Sequence, residues 1–253
     1  MNESPNRPPE QTASAQETFT AIFFEPGRAF AALRERPRFL VATLIVMATF
    51  LVYNFLFTQR IGYENIARAN VENSPQAASL SAEDRERAIE MQMRPTIRAL
   101  GYVSVIISVA LAFAIGSALY MLGAMAMGGA LSYRQALSIW AYSSLPPALV
   151  KTIGDVILLF IQSPDQIDIV RSRGGLVHAN LSLLVDISAH PVLGTLLGAI
   201  DLFAFYGLFL AATGMRQIAR LSPPVAWMVV LIVWGLGVAV RLLIALLFNV
   251  PIA

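Results

Sequence analysis

GGALSYRQALSIWAYSSLPPALVKTIGDVILLFIQ, residues 128–162, is the stretch whose reading decides the fold. It has the length and apolarity of a membrane-spanning helix, yet it holds Pro146, Pro147, Lys151 and Asp155. Ser132 followed three residues later by Gln135 forms a capping box, so the helix is expected to begin near Tyr133. From there to Gln162 a helix runs roughly 45 Å, against a hydrocarbon core of about 30 Å. Each proline removes an N–H and clashes with the carbonyl four residues back, at Tyr142 and Ser143. A kink or break is therefore expected there, with the freed carbonyls met by Ser143, Ser144, water or a neighbouring helix. Ser144, Pro147, Lys151 and Asp155 fall on one helical face. A charge at mid-bilayer costs about 2.5–3.5 kcal/mol on insertion scales, so that face must look into a bundle. Lys151 and Asp155 stand four apart and can neutralise each other.

The composition agrees with a membrane protein. The chain is 57% hydrophobic and 13% charged, with mean hydropathy +0.64; soluble domains carry about 25% charged residues. A net charge of +2, with arginines scattered among acids, is no nucleic-acid signal. There is no cysteine, which excludes disulfides, thiolate metal sites and a cysteine nucleophile. Lys151 is the only lysine among 18 basic residues.

Working outward, residues 1–17 are polar and read as a disordered tail ahead of a membrane domain over 18–253. No signal peptide is expected, because the first apolar run begins only at Phe39. The segment FTAIFFEPGRAFAALRERPRF (residues 19–39) predicts a short amphipathic helix on the membrane surface, with Phe30 and Leu33 on its apolar face; protein docking is the alternative. Spans are expected at about 39–57, 99–126, 133–162, 192–213 and 225–248. The fold class is thus all-α: a polytopic bundle of five transmembrane helices with short interfacial helices. Between the first two spans, SAEDRERAIEMQMR predicts a solvated helix with Ser81 as N-cap. The polar loop SPDQIDIVRSRGG is followed by LVHANLSLLVDI, which is too short to cross and reads as interfacial or re-entrant.

The fourth expected span holds the pair Gly194 and Gly198, with Asp201 on the same face, and the fifth holds Arg241 one turn beyond Gly237. Lys151, Asp155, Asp201 and Arg241 then lie within roughly 6 Å of one another in depth, at 1.5 Å per residue. Two positive and two negative charges in one layer should pair, Lys151 with Asp155 and Asp201 with Arg241, or crossed. Their balance points to a network that fixes helix register. A proton, ion or substrate path through the layer is the competing reading.

Counts of basic residues on the two sides tie, so orientation rests on the short acid-free loops carrying Arg134, Arg216 and Arg220, which place the N-terminus in the cytoplasm. His178 and His190 have no ligand cluster around them, and no nucleophile–base motif, phosphate loop or HExxH occurs. No catalytic, cofactor-binding or metal-binding residue is expected.

Three segments resemble the Yip (Ypt-interacting protein) family, especially its bacterial members. They are FFEPGRAFAALRERPRF before the first span, GGALSYRQALSIWAYSSLPPALV with Tyr142 and Pro146, and GAIDLFAFYGLFLAATGM with Asp201-Leu202-Phe203. The resemblance implies a five-span integral membrane protein with a cytoplasmic N-terminus. Its eukaryotic members act in vesicle trafficking and bind Rab GTPases, a role not carried to this chain; for bacterial members it supplies no activity. The expected function is a non-enzymatic scaffold of the bacterial inner membrane. Its partners would be the lipid bilayer and other membrane proteins or a second copy, without cofactor or nucleic acid. A small-solute transporter or channel using the proline-broken third span is the alternative.

Overall fold

The capped apolar runs become helices in a computed structural model that describes residues 14–74, 76–187 and 189–251. The expected disordered tail lies outside the described residues up to residue 13. Its end is already helical. Ser14 caps α1 (Ala15–Phe24) through a capping box, donating its N–H to Glu17 Oε2 at 2.7 Å and accepting the Glu17 N–H at 3.1 Å.

Four helices are long and apolar enough to cross a membrane: α3 (Phe39–Ile61), α6 (Pro95–Ala126), α7 (Tyr133–Ile161) and α10 (Pro223–Phe248). They follow four of the expected spans, each extended by a few residues at one end or both except the third. The expected continuous fourth span is not found. It is divided into α8 (Pro191–Gly198) and α9 (Leu202–Ile218) by a break at residues 199–201. The reason is local: Asp201 sits in extended backbone and its Oδ1 accepts the Ala204 N–H at 2.9 Å, capping a new helix.

The segment before the first span also differs from expectation. Pro26 opens α2 (Pro26–Glu35), and its apolar face carries Ala29, Phe30 and Leu33. That face does not lie on lipid. Phe30 and Leu33 are buried in the main core against α9 and α7, and Ile22 of α1 joins them. Gln135 at the start of α7 donates to the Arg34 carbonyl at 2.9 Å, fixing the end of α2 to the head of the central helix. Where such a face would otherwise meet water, burying a side chain such as Phe30 is worth roughly 1.5–3 kcal/mol.

Inside the bundle that driving force is absent, because lipid is as apolar as leucine, and close packing takes over. Helix α7 is the hub, packed against α3, α6, α9 and α2. Glycines let its neighbours approach. Gly116 of α6 receives the ring of Trp140, which also stacks on Tyr120 with centroids 4.9 Å apart. A Cβ at Gly123 would stand 2.8 Å from Val229 of α10, and one at Gly214 of α9 would stand 3.0 Å from both Ile139 and Phe30.

Helix α7 does not break at Pro146–Pro147; it is continuous to Ile161. Ser143 and Ser144 do not meet the freed carbonyls either. Both hydroxyls donate to the Trp140 carbonyl, at 3.1 and 2.8 Å. The Ser143 carbonyl faces Gly207 of α9 instead, whose missing Cβ would stand 3.5 Å from that oxygen and 3.8 Å from Pro147 Cγ. A neighbouring helix with a glycine at the contact therefore covers the break in the hydrogen-bond ladder.

Outside the bundle, α4 (Tyr63–Glu72) and α5 (Ala82–Met93) pair over Ala67, Val71 and Ile89. Ser81 caps α5 as expected, accepting the Asp84 N–H at 3.1 Å. Arg68 joins the two helices through Glu86 at 2.9 Å. These groups are exposed, and such pairs contribute little to stability.

Candidate functional site

The charged face of α7 is where sequence and structure meet most closely. Lys151 and Asp155 lie one turn apart, and Lys151 Nζ stands 2.9 Å from Asp155 Oδ2. Asp155 is 3% exposed. A buried anion needs donors beyond its counter-ion, and these come from the connection between α7 and α8. The N–H groups of Leu176 and Val177 both donate to Asp155 Oδ1 at 2.7 Å. Lys151 in turn donates to the Gly174 carbonyl at 2.7 Å. One ion pair thus grips the loop at three residues, Gly174, Leu176 and Val177.

The loop is shaped for that grip. Gly175 has φ +116°, in the region that disfavours a side chain. A Cβ there would run into Lys151 Nζ and stand 2.6 Å from Asp155 Oδ2. Tyr53 of α3 donates to the Ser172 carbonyl at 3.2 Å from the other side. His178 places its two ring nitrogens 2.9 Å from the Leu176 carbonyl and 3.2 Å from the Arg171 carbonyl, tying the loop to itself. Tyr53, Phe57, Leu159, Ile167 and Leu176 form a second apolar cluster around it. The end of the polar loop and the first residues of the segment expected to be interfacial or re-entrant are thus held against α3 and α7, while Leu181, Leu183 and Leu184 further along that segment are exposed.

The other half of the expected layer is not assembled. Asp201 caps α9, and its backbone pairs with Asn180 of the loop; the adjacent Leu202 N–H donates to the Ala179 carbonyl at 3.0 Å. Arg241 is exposed on α10 and forms no ion pair with any described residue. The expected Asp201–Arg241 contact is absent because the break before α9 turns the aspartate into a cap. Gly194 and Gly198 therefore share no helix with Asp201. A Cβ at Gly194 would meet Ile187 at 2.9 Å and one at Gly198 would meet Ser182 at 3.9 Å, so both glycines face the preceding loop.

Sequence reasoning passed over Gly175, Gly207 and Tyr53, while the small residues Gly116 and Gly123 were read as signs of tight helix packing, which their contacts bear out. The adjacent Gly174-Gly175 was a usable signal: a buried aspartate calls for backbone donors, and paired glycines permit a close turn.

The Yip1 domain family model matches residues 20–244 of the chain. The chain belongs to the Yip1 domain family. The resemblance drawn from its three motifs therefore holds over nearly the whole chain. The Yip1 domain is not a known enzyme family. Membrane protein YknW of Bacillus subtilis (strain 168) is similar to this chain, with 23% identity over 240 residues, 94% of each protein. No solved structure matches it. As a Yip1-domain protein with four long apolar helices, the chain is an integral membrane protein.

Proposed function

We propose that this Yip1-domain protein is a non-enzymatic scaffold that organises or binds partners within the bacterial inner membrane. The observation that carries this reading is the saturation of its most buried charge. Asp155 is held by Lys151 and by the Leu176 and Val177 N–H groups, all from its own chain. A transport or catalytic carboxylate needs a vacant coordination position; this one fastens a loop. Lys151, Asp155, Pro146 and Pro147 act in this reading as organisers of the bundle.

The proposal includes five crossings with the N-terminus in the cytoplasm, α8 and α9 in series making the fourth. It is supported by the combined length of those two helices and by the acid-free loops at Arg134, Arg216 and Arg220. Because the natural chain lacks cysteine, single cysteines placed at Ser132 and Asn249 can be labelled from one side of the membrane. The proposal expects opposite accessibility, and labelling of both from one side would remove the fifth crossing.

The functional test is purification of the full chain in mild detergent, with bound proteins and lipids identified, beside flux measurements in liposomes. A stable complex without flux is the expected result. Ion- or proton-dependent flux by the purified protein would overturn the scaffold in favour of a transporter.

A further inference from the structure

Arg241 stands in a membrane-spanning helix with no ion pair among the described residues. Its surroundings are apolar and open: Val240 and Leu243 are 57% and 54% exposed. One turn toward the helix start, Gly237 has no neighbouring atom within 4 Å of where a Cβ would stand. Arginine does not shed its proton, so the charge persists wherever it is placed.

The direction of the side chain matters. Helical Cα–Cβ bonds tilt toward the N-terminus, so a residue covers the turn before its own Cα. For Arg241 that turn is Gly237, away from the nearer helix end. Phe248 lies about 10 Å beyond it at roughly 1.5 Å per residue, past Leu246 and Leu247, which are both 68% exposed. The Arg241 side chain thus leaves the helix toward Gly237, an open notch that admits another backbone. The intramembrane carboxylates of this chain are engaged, Asp155 in the loop clasp and Asp201 in the α9 cap. A second copy would bring the same two engaged acids.

We infer that the Gly237–Arg241 face of α10 is the docking site for a transmembrane helix of a partner protein bearing an Asp or Glu at matching depth. The inference rests on the scaffold reading and names the class of partner and where it binds. Complementary charge supplies the attraction, and the glycine supplies close approach.

A benzophenone amino acid at Val240 of the full-length protein, photolysed in native membranes, tests it. The expected product is an adduct to a helix of another membrane protein. Its yield should fall at least tenfold with Arg241→Leu and persist with Arg241→Lys. It should fall equally when the acid of the captured helix becomes an amide. Exchange, with Arg241→Asp against an arginine at the partner position, should restore it. Adducts only to lipid, only to a second copy, to a helix without an acid, or insensitive to Arg241→Leu would each overturn the inference. Arg241 holds no described residue, so the leucine variant is expected to accumulate normally. If it does not, Gly237→Leu keeps the charge, fills the notch and must give the same loss. Partners that co-purify regardless of Arg241 would refute this site and leave the scaffold standing. Absence of any partner for the wild-type chain would refute the scaffold itself.

Discussion

Asp155 of α7 accepts the Leu176 N–H at 2.7 Å across a sequence separation of 21 residues, which ties the third long helix to the loop that leaves it. The same oxygen takes the Val177 N–H, and the other oxygen takes Lys151. Asp155→Ala removes three charge-assisted contacts and leaves Lys151 partly buried without its counter-ion. Breaking a buried pair in this way costs about 3–5 kcal/mol. Thermal unfolding in detergent should show a large drop for Asp155→Ala and a smaller one for Lys151→Ala, which leaves the carboxylate its two N–H donors. Equal drops would mean that the loop contacts contribute little.

Gly175→Ala tests the loop from its own side. The substitution introduces a Cβ at φ +116° and drives it into Lys151 and Asp155. Backbone strain of this kind costs on the order of 1–3 kcal/mol, and the clash adds to it. Limited proteolysis should cut between residues 163 and 190 faster than in the wild type. Unchanged cleavage would show that the clasp tolerates displacement.

Trp140 and Gly116 form the contact between α6 and α7. Gly116→Val should destabilise by about 1–3 kcal/mol through overpacking. With Trp140→Ala already present, the ring that clashes is gone and the added valine should cost far less. A double-mutant cycle in thermal midpoints reads this coupling directly. Additive effects would mean that the two side chains do not meet in the membrane.

Phe30 tests whether the N-terminal helices belong to the core. Its complete burial against α9 predicts a loss of about 3–5 kcal/mol for Phe30→Ala. Phe24, on the same hairpin, is 81% exposed, and Phe24→Ala should leave the midpoint unchanged. Similar small effects at both positions would place α1 and α2 on the membrane surface instead.

Much of this was legible in the chain itself. Hydrophobic length marked α3, α6, α7 and α10, and the Ser132–Gln135 box marked the first turn of α7. The i,i+4 spacing of Lys151 and Asp155 marked their pair. These are local properties, set by helix geometry and by the cost of charge in hydrocarbon, so a one-dimensional reading reaches them.

The remaining features rest on partners distant in sequence. Pro146 and Pro147 lie inside a continuous α7, and the Ser143 carbonyl faces Gly207 of α9, a contact no local pattern could name. Whether Asp201 pairs with Arg241 depends on a competing local bond, the Ala204 N–H, which captures the carboxylate and divides the expected fourth span. Whether Phe30 meets lipid or protein depends on Gly214 leaving room on α9. An apolar face specifies burial without naming the surface that buries it, and a charge specifies a partner without saying which. Residues 128–162 already carried the length, the cap and the charged pair of a central helix. The three-dimensional contacts add that this helix packs against α3, α6, α9 and α2 and that its Asp155 binds the loop at Leu176 and Val177.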